Sequence, residues 1–525
     1  MSGIKNVLFV TFDQWRWDCL SAMGHPLLRT PKLDAFAADA TLFRNHWSVT
    51  CPCGPGRSAL LTGTYLHKNR ALRNGTPLAR RFTNVALEAR KLNYDPALFG
   101  YTDISPDPTM GERGDPIFNN YEGVLPGMTR VCKLDDDFGH WFTDLRKKGY
   151  AIPENPWDIF RPVEGYPGAE GKGYSYPPPR FAKEDSNAAF LTNALLDYVD
   201  AQRGKPWFAH VTYISPHPPF TSPEPYNTRY DAADVPMPTR AATPEDEGAV
   251  HPWLKYRIET HGKGPNTGSG LVIGKHLDPT EMGDAEIAQL RATYYGMINE
   301  VEDNFDRILQ RLKETGAYDE TLIVLTADHG EQLGDHWLFS KTGFFDESYR
   351  IPLIIRDPRP AAAAGRGRQV EAITESVDVT PTILDLLGAP IPRQVDGYPL
   401  TKWLIGETPR TWRTEAHVEF DFGSPTTREV EQALGLKSDD CFLTVIRSDR
   451  YKYVHFTALP PLFYDLENDP EQLTDRSGDP AYRDAMLDMA RRLITWRMRT
   501  EDRDLSYMHI ENGVVEARDD RYDDL

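Results

Sequence analysis

Five continuous apolar runs, at residues 6–12, 97–100, 207–215, 321–326 and 352–355, limit what this chain can fold into. An apolar run without alternation belongs in a strand covered on both faces, as in a parallel sheet. Helical patterns lie between the runs, at residues 84–92, 187–199 and 295–312. In the last of these, Val301, Phe305, Ile308, Leu309 and Leu312 share one face. Strands alternating with helices predict an α/β fold, a large and mostly parallel sheet sandwiched by helices. In such sheets the chemistry gathers beyond the carboxyl ends of the strands. Four of the five runs end in polar clusters: Asp13-Gln14, Tyr101-Thr102-Asp103, Ser215-Pro216-His217 and Asp328-His329. A single carboxylate after a strand is ordinarily a cap or turn residue. Four clusters at one rim point to a site.

The charge balance narrows the partners. With 59 basic against 78 acidic residues the chain carries a net charge of −19, which disfavours nucleic acid and anionic membrane surfaces. The five cysteines (Cys19, Cys51, Cys53, Cys132 and Cys441) are odd in number and form no C-x-x-C pair. They provide neither a disulfide framework nor a structural zinc site and fit a reducing compartment. The apolar run at 7–12 meets Asp13 too soon for a signal peptide, and no stretch approaches the roughly 20 apolar residues of a membrane span. A cytoplasmic location is expected.

From about Glu415 the pattern changes to short strands at 441–445, 450–456 and 463–466 and a helix at 481–499. The expected organisation is therefore a catalytic α/β domain at 1–414, a small antiparallel subdomain with its helix at 415–503, and an acidic tail at 504–525. The tail reads either as a free end or as an arm onto a neighbouring subunit, and a homo-oligomer (dimer or tetramer) is expected. Two Pro- or polar-rich stretches, 153–179 and 223–274, read as surface excursions over the site.

The richest segment is Cys51-Pro-Cys-Gly-Pro-Gly-Arg-Ser-Ala-Leu-Leu-Thr-Gly63. Pro55 and Gly56 permit a helix to start, with Cys53 at its positive end and Arg57 one turn on, able to reach back. The bland alternative is a buried cysteine in a proline-rich turn.

Cys53, Pro55 and Arg57, followed by Leu61-Thr62-Gly63, form the C-x-P-x-R signature, and here the chain resembles the type I sulfatases of the alkaline phosphatase superfamily. The resemblance implies conversion of Cys53 to formylglycine by a formylglycine-generating enzyme met transiently. One hydroxyl of the hydrated aldehyde then attacks sulfur or phosphorus, and deprotonation of the other expels the product. Asp13, Asp328 and His329 look like metal ligands, Lys341 like the lysine holding a substrate oxygen, and His217 like the histidine assisting the leaving group. The stretches 376–388 and 463–474 resemble the family's late helix and C-terminal subdomain.

Departures from the common pattern narrow the substrate. Where many sulfatases carry Asp-Asp and Asp-Asn, this chain has Asp13-Gln14 and Asp328-His329. An imidazole moves metal preference from calcium toward manganese, zinc or iron. One divalent ion is expected among Asp13, Gln14, Asp328, His329 and the modified Cys53, with manganese favoured over calcium, zinc and iron.

Tyr101 stands where the family has a lysine, and Asp103 where it has a histidine acting as base. Tyr101, with the Asp13-Gln14 and Asp328-His329 pairs and Asn74, resembles the phosphonate monoester hydrolase branch and its nearest arylsulfatases, and Asp103 departs from that branch, which has threonine there. A site with less positive charge suits a singly charged ester over a phosphate monoester dianion. The substrate set is then Asn74, Tyr101 and Thr102, with Cys53, Arg57, Asp103, His217 and Lys341 catalytic. Aryl sulfate is expected as the main substrate, with phosphonate monoesters and phosphodiesters close behind. The alternatives are a phosphonate monoester hydrolase, a serine-type phosphatase of the superfamily, and a silent binding protein of the same fold.

Overall fold

The computed structural model describes residues 3–134, 137–202, 204–260, 270–275, 277–506, 508–512, 514–517, 521–522 and 525. Nine strands form the main sheet: β1 (Asn6–Phe12), β2 (Thr41–Trp47), β3 (Pro96–Gly100), β4 (Thr129–Lys133), β5 (Phe208–Tyr213), β6 (Thr321–Ala327), β7 (Arg350–Arg356), β8 (Gln369–Val370) and β9 (Thr374–Glu375). Their order is β4-β3-β5-β1-β6-β7-β2-β8, with β9 also on β2. The block from β4 to β6 is entirely parallel, as predicted from the unalternating runs.

β7 runs antiparallel to both β6 and β2. This explains why the fifth apolar run lacks a polar cluster at its end: its carboxyl end lies on the opposite rim. The other four runs end together on one edge of the sheet.

Alternate residues feed two cores. Leu8, Val10, Phe12, Ile323 and Leu325 join a cluster under the helices Asn187–Gln202 and Asp284–Glu314. Val7, Phe9, Leu322 and Val324 join another, under Val85–Lys91 and Val379–Leu387. Burial on both faces is what parallel strands require. The helix expected at 295–312 is longer, Asp284–Glu314, because its start carries no side-chain cap to mark it.

A separate antiparallel sheet follows, β10 (Glu415–Asp421), β11 (Phe442–Ser448), β12 (Tyr451–Phe456) and β13 (Leu462–Asp465), paired in sequence order and packed by the helix Arg483–Thr500. It is not independent of the first. Ala416, Val418 and Phe420 share a buried cluster with Trp47, Cys51 and Trp253. The tail, expected to be weakly patterned, contains a hairpin of β14 (Met508–Glu511) and β15 (Val514–Ala517), with Met508 and Ile510 exposed. Among the described residues no helix is long and apolar enough to cross a membrane.

The rim tolerates little change in the backbone. Gly100, the last residue of β3, has φ of 105°, and a Cβ there would lie 2.3 Å from the Thr212 carbonyl oxygen. Such a contact must force β3 away from β5. Gly100→Ala should therefore lower unfolding free energy by about 3 kcal/mol. Urea denaturation indistinguishable from the parent chain would refute that reading of the β3 end.

Candidate active site

The segment 53–62 forms a helix, as its sequence predicts, and all ten of its residues are buried. It starts between the ends of β1 and β6. Gly56 makes the approach possible, since a Cβ there would sit 2.8 Å from the Asp328 carbonyl oxygen. Ser48 Oγ donates to that same oxygen over 2.6 Å.

Four side chains converge at the start of this helix. Cys53 Sγ lies 3.3 Å from His329 Nε2 and 3.7 Å from Asp13 Oδ1. His329 Nε2 is 3.7 Å from Asp13 Oδ1 and from Asp328 Oδ1. Its Nδ1 faces the Gly330 carbonyl at 3.1 Å, so Nδ1 carries the proton and Nε2 is left as a ligand atom. Among the described residues, Asp13, Cys53, Asp328 and His329 are the one group of acidic, histidine and cysteine side chains with donor atoms close enough to share a metal ion.

Arg57 does not point along the helix toward a substrate. Its Nε donates to Asp328 Oδ2 (2.9 Å) and one terminal nitrogen to Asp13 Oδ2 (3.1 Å). The other donates to Thr212 Oγ1 (2.9 Å), and the guanidinium lies 4.2 Å above the Tyr101 ring. The Tyr101 hydroxyl donates to Asp13 Oδ2 over 2.6 Å. In this structure both Arg57 and Tyr101 orient a carboxylate.

Asn74 Oδ1 accepts from the Gly54 amide over 2.9 Å, capping a helix whose own N-cap, Pro52, offers no side-chain bond. With the oxygen so engaged, the exposed amide nitrogen remains as a donor for an anion. His217 Nδ1 faces the Pro218 carbonyl at 2.6 Å, which leaves Nε2 for a ligand. His217 and Lys341 are half-buried and form the lip of a site whose floor is fully buried. Asp103 lies next to Gly54, with its carbonyl oxygen 3.1 Å from a Cβ built there, and its φ is 52°. Thr102 faces away: its hydroxyl donates to the Gly123 carbonyl and accepts from the Leu125 amide, both over 2.9 Å. Those bonds tie down the excursion after β3, where two cavities of ≈430 Å³ each flank Ser105 and Pro106.

Lys341 and Gln14 meet directly, Nζ to Oε1 over 2.5 Å, and the Gln14 amide nitrogen donates to Glu331. Glu331 lies two residues after His329 in the sequence. Nothing in the sequence assigned it a partner, because that partner is 317 residues away.

The charge balance of the floor is that of a cation site. Burial and the adjacent Asp13 push Asp328 up to about 7 despite Arg57. Burial would also raise Asp13, but His217, Arg57, His329 and Lys341 outweigh it and hold Asp13 well below the carboxylate range. Burial, then the charge on Lys341, lowers His329 and His217 to about 3, so His329 is neutral and fit to bind a metal. Burial first, then Asp13, lifts the Cys53 thiol well above its ordinary value. An unmodified thiol here is a poor nucleophile. Four buried carboxylates (Asp13, Asp103, Asp328 and Glu331) face two cations, Arg57 and Lys341. A divalent ion would balance them, and the mixed oxygen and nitrogen donor set fits one.

This fold and this site define a member of the sulfatase family. The family model described as Sulfatase matches residues 5–389, and that of the N-sulphoglucosamine sulphohydrolase C-terminal region matches residues 334–499. The chain belongs to that family. Within it, the chain is 42% identical over 510 residues to the multifunctional alkaline phosphatase superfamily protein PehA of Trinickia caryophylli, covering 96% of this chain and 97% of PehA. The phosphonate monoester hydrolase structure of Agrobacterium radiobacter superposes with a TM-score of 0.93 at 42% identity, covering 98% of this chain and all of that one. An arylsulfatase of Clostridium perfringens is 26% identical over 501 residues, 93% of each chain.

Arg57 is the group whose loss should be felt most widely. Arg57→Ala leaves two buried carboxylates facing one another, which should lower unfolding free energy by about 3–5 kcal/mol. Hydrolysis should fall by about 100-fold or more as the floor loses its geometry. A variant that melts with the parent chain and keeps its rate would show that the pairing is dispensable.

Proposed function

We propose that this chain hydrolyses esters of singly charged tetrahedral oxyanions, with phosphonate monoesters first and aryl sulfates and phosphodiesters alongside. The observation that carries the proposal is the buried cluster of Asp13, Cys53, Asp328 and His329 beneath a lip of Asn74, His217 and Lys341. Asp103 by itself favours aryl sulfate. The order proposed here is supported by relatives carrying the phosphonate monoester hydrolase name, which are 42% and 38% identical over 98% of the chain. The aryl sulfate reading, second here, rests on Asp103 and on the sulfatase relatives.

Cys53 is proposed to be converted to formylglycine by a formylglycine-generating enzyme, its Sγ marking the position of the reacting oxygen. A divalent metal, manganese by preference, would be held by Asp13, Gln14, Asp328 and His329, and when bound it supplies positive charge to the reacting oxyanion. The remaining roles belong to the chain itself. Arg57 and Tyr101 hold Asp13 in place. The Asn74 amide and the Lys341 ammonium donate to non-bridging oxygens of the ester. His217 presents Nε2 to the leaving oxygen, and the charge of a bound anion would draw a proton onto it. Asp103, next to Gly54, serves as the base that clears the enzyme for the next turnover. The five buried, unpaired cysteines support a reducing, cytoplasmic setting.

Two measurements test this. A tryptic peptide containing Cys53 should be lighter than the unmodified thiol by the conversion of CH2SH to an aldehyde, and Cys53→Ala should lose activity by about three orders of magnitude. An unmodified Cys53 in a fully active preparation would end the formylglycine reading. In a panel compared by kcat/KM, phosphonate monoester should lead, aryl sulfate and phosphodiester should follow, and phosphate monoester should trail. A leading phosphate monoester would overturn the charge argument.

Asp103→Asn tests the base separately. It should preserve bond cleavage but stall turnover, giving a burst of released alcohol stoichiometric with the sites. It should also raise activity on dianionic phosphate monoesters relative to sulfate. Normal turnover with no burst would make Asp103 a structural residue.

A further inference from the structure

Glu331 is wholly buried at the back of the site and touches neither the nucleophile nor the expected position of a substrate. Its two oxygens have different partners. Oε1 accepts from the backbone amides of Leu333 (2.9 Å) and Ser340 (2.6 Å), the two ends of the loop that delivers Lys341. Oε2 accepts from the Gln14 side-chain nitrogen. On its other side, Gln14 Oε1 accepts from Lys341 Nζ over 2.5 Å.

The chemistry of the partners leaves one orientation for the Gln14 amide. An ammonium only donates and a carboxylate only accepts. With Lys341 on one side and Glu331 on the other, the nitrogen must face Glu331 and the oxygen must face the site. Gln14 is itself fully buried, so water cannot replace either partner. We infer that Glu331 is a positioning residue: it holds the Gln14 amide with its oxygen turned into the site, and closes the loop that presents Lys341. The inference rests on the metal site proposed above, since the turned-in oxygen is the one that would ligate the ion.

Glu331→Gln separates these roles. The new amide keeps its oxygen on Leu333 and Ser340, because turning it would lose two backbone bonds. Its nitrogen then meets the Gln14 nitrogen, two donors face to face. Gln14 must turn over, which presents its nitrogen to the metal. Adding Gln14→Glu restores the pair with its polarity reversed, the residue at 331 donating and the one at 14 accepting, and places an oxygen back in the site.

The test is a titration of manganese into the full-length, chelator-stripped chain, followed by calorimetry and by the signal of free manganese, for the parent, Glu331→Gln, Gln14→Glu and the double variant. Glu331→Gln should bind about 10- to 100-fold more weakly. The double variant should recover most of that loss and gain more from Gln14→Glu than the parent background does, whereas an equal gain in both backgrounds would reflect only the added carboxylate and overturn the pairing. Glu331→Gln binding as tightly as the parent chain overturns the inference, as does a double variant no better than the single one. If Glu331→Gln does not fold, the double variant decides: folding with near-parental binding supports the pairing, and failure to fold overturns it. A parent chain that binds no manganese, zinc, iron or calcium defeats the metal reading itself, and the inference with it. That outcome is seen in the parent alone, before any variant is compared.

Discussion

Because β1 and β6 pair with Phe12 opposite Ala327, the next residue on each strand is a carboxylate beside its counterpart. Asp13 and Asp328 are then held together by sheet register at a depth where neither meets solvent. Such a pair persists only if positive charge is built in. Arg57 supplies it with one planar fork that bonds to both. Much of the local architecture serves that fork: the helix placing it between the strands, the glycine letting the helix approach, the Tyr101 ring beneath it and Thr212 fixing its remaining nitrogen.

The second sheet is part of this arrangement. The Glu419 amide donates to the Val49 carbonyl over 2.9 Å, and Thr50 bridges to Glu419, just ahead of the helix that begins at Cys53. At the end of β10, Asp421 bonds to Arg73 over 2.5 Å, next to the Asn74 that caps that helix. Lys452 on β12 bonds to Asp346, in the loop before β7. Three separate contacts therefore brace Val49 and Thr50, Arg73 and Asp346 from outside the main sheet.

The parallel block and its rim were legible because burial on both faces leaves a continuous apolar signature, and because polar residues following such runs have little other reason to recur. β2 was not legible. Its interior carries Arg44, Asn45 and His46, and the last two are buried with partners, Asn45 with the Trp47 indole and His46 with Thr374. Polar groups satisfied by distant partners look like loop in sequence. β4 is an edge strand with exposed residues and lacks an apolar run. The same limit applies at the site. Residue types named Cys53, Asp13, Asp328 and His329, but only geometry shows Arg57 and Tyr101 turned to a carboxylate and Thr102 turned to its own loop. It also shows Glu331 joined to Gln14.

The rim loops are unequal in what they carry. The segment between β6 and β7 delivers Asp328, His329, Glu331 and Lys341 within a single connection, each bonded to another part of the floor. The excursion between β3 and β4 is held by Thr102, Ser105 and Asp107 and lines two cavities. An insertion in the first would disturb the buried floor and its lip together. Changes beyond Asp103 in the second alter the walls while leaving the charged floor as it is. The molecule thus separates a charged floor, fixed by the register of two adjacent strands, from walls that a single excursion shapes.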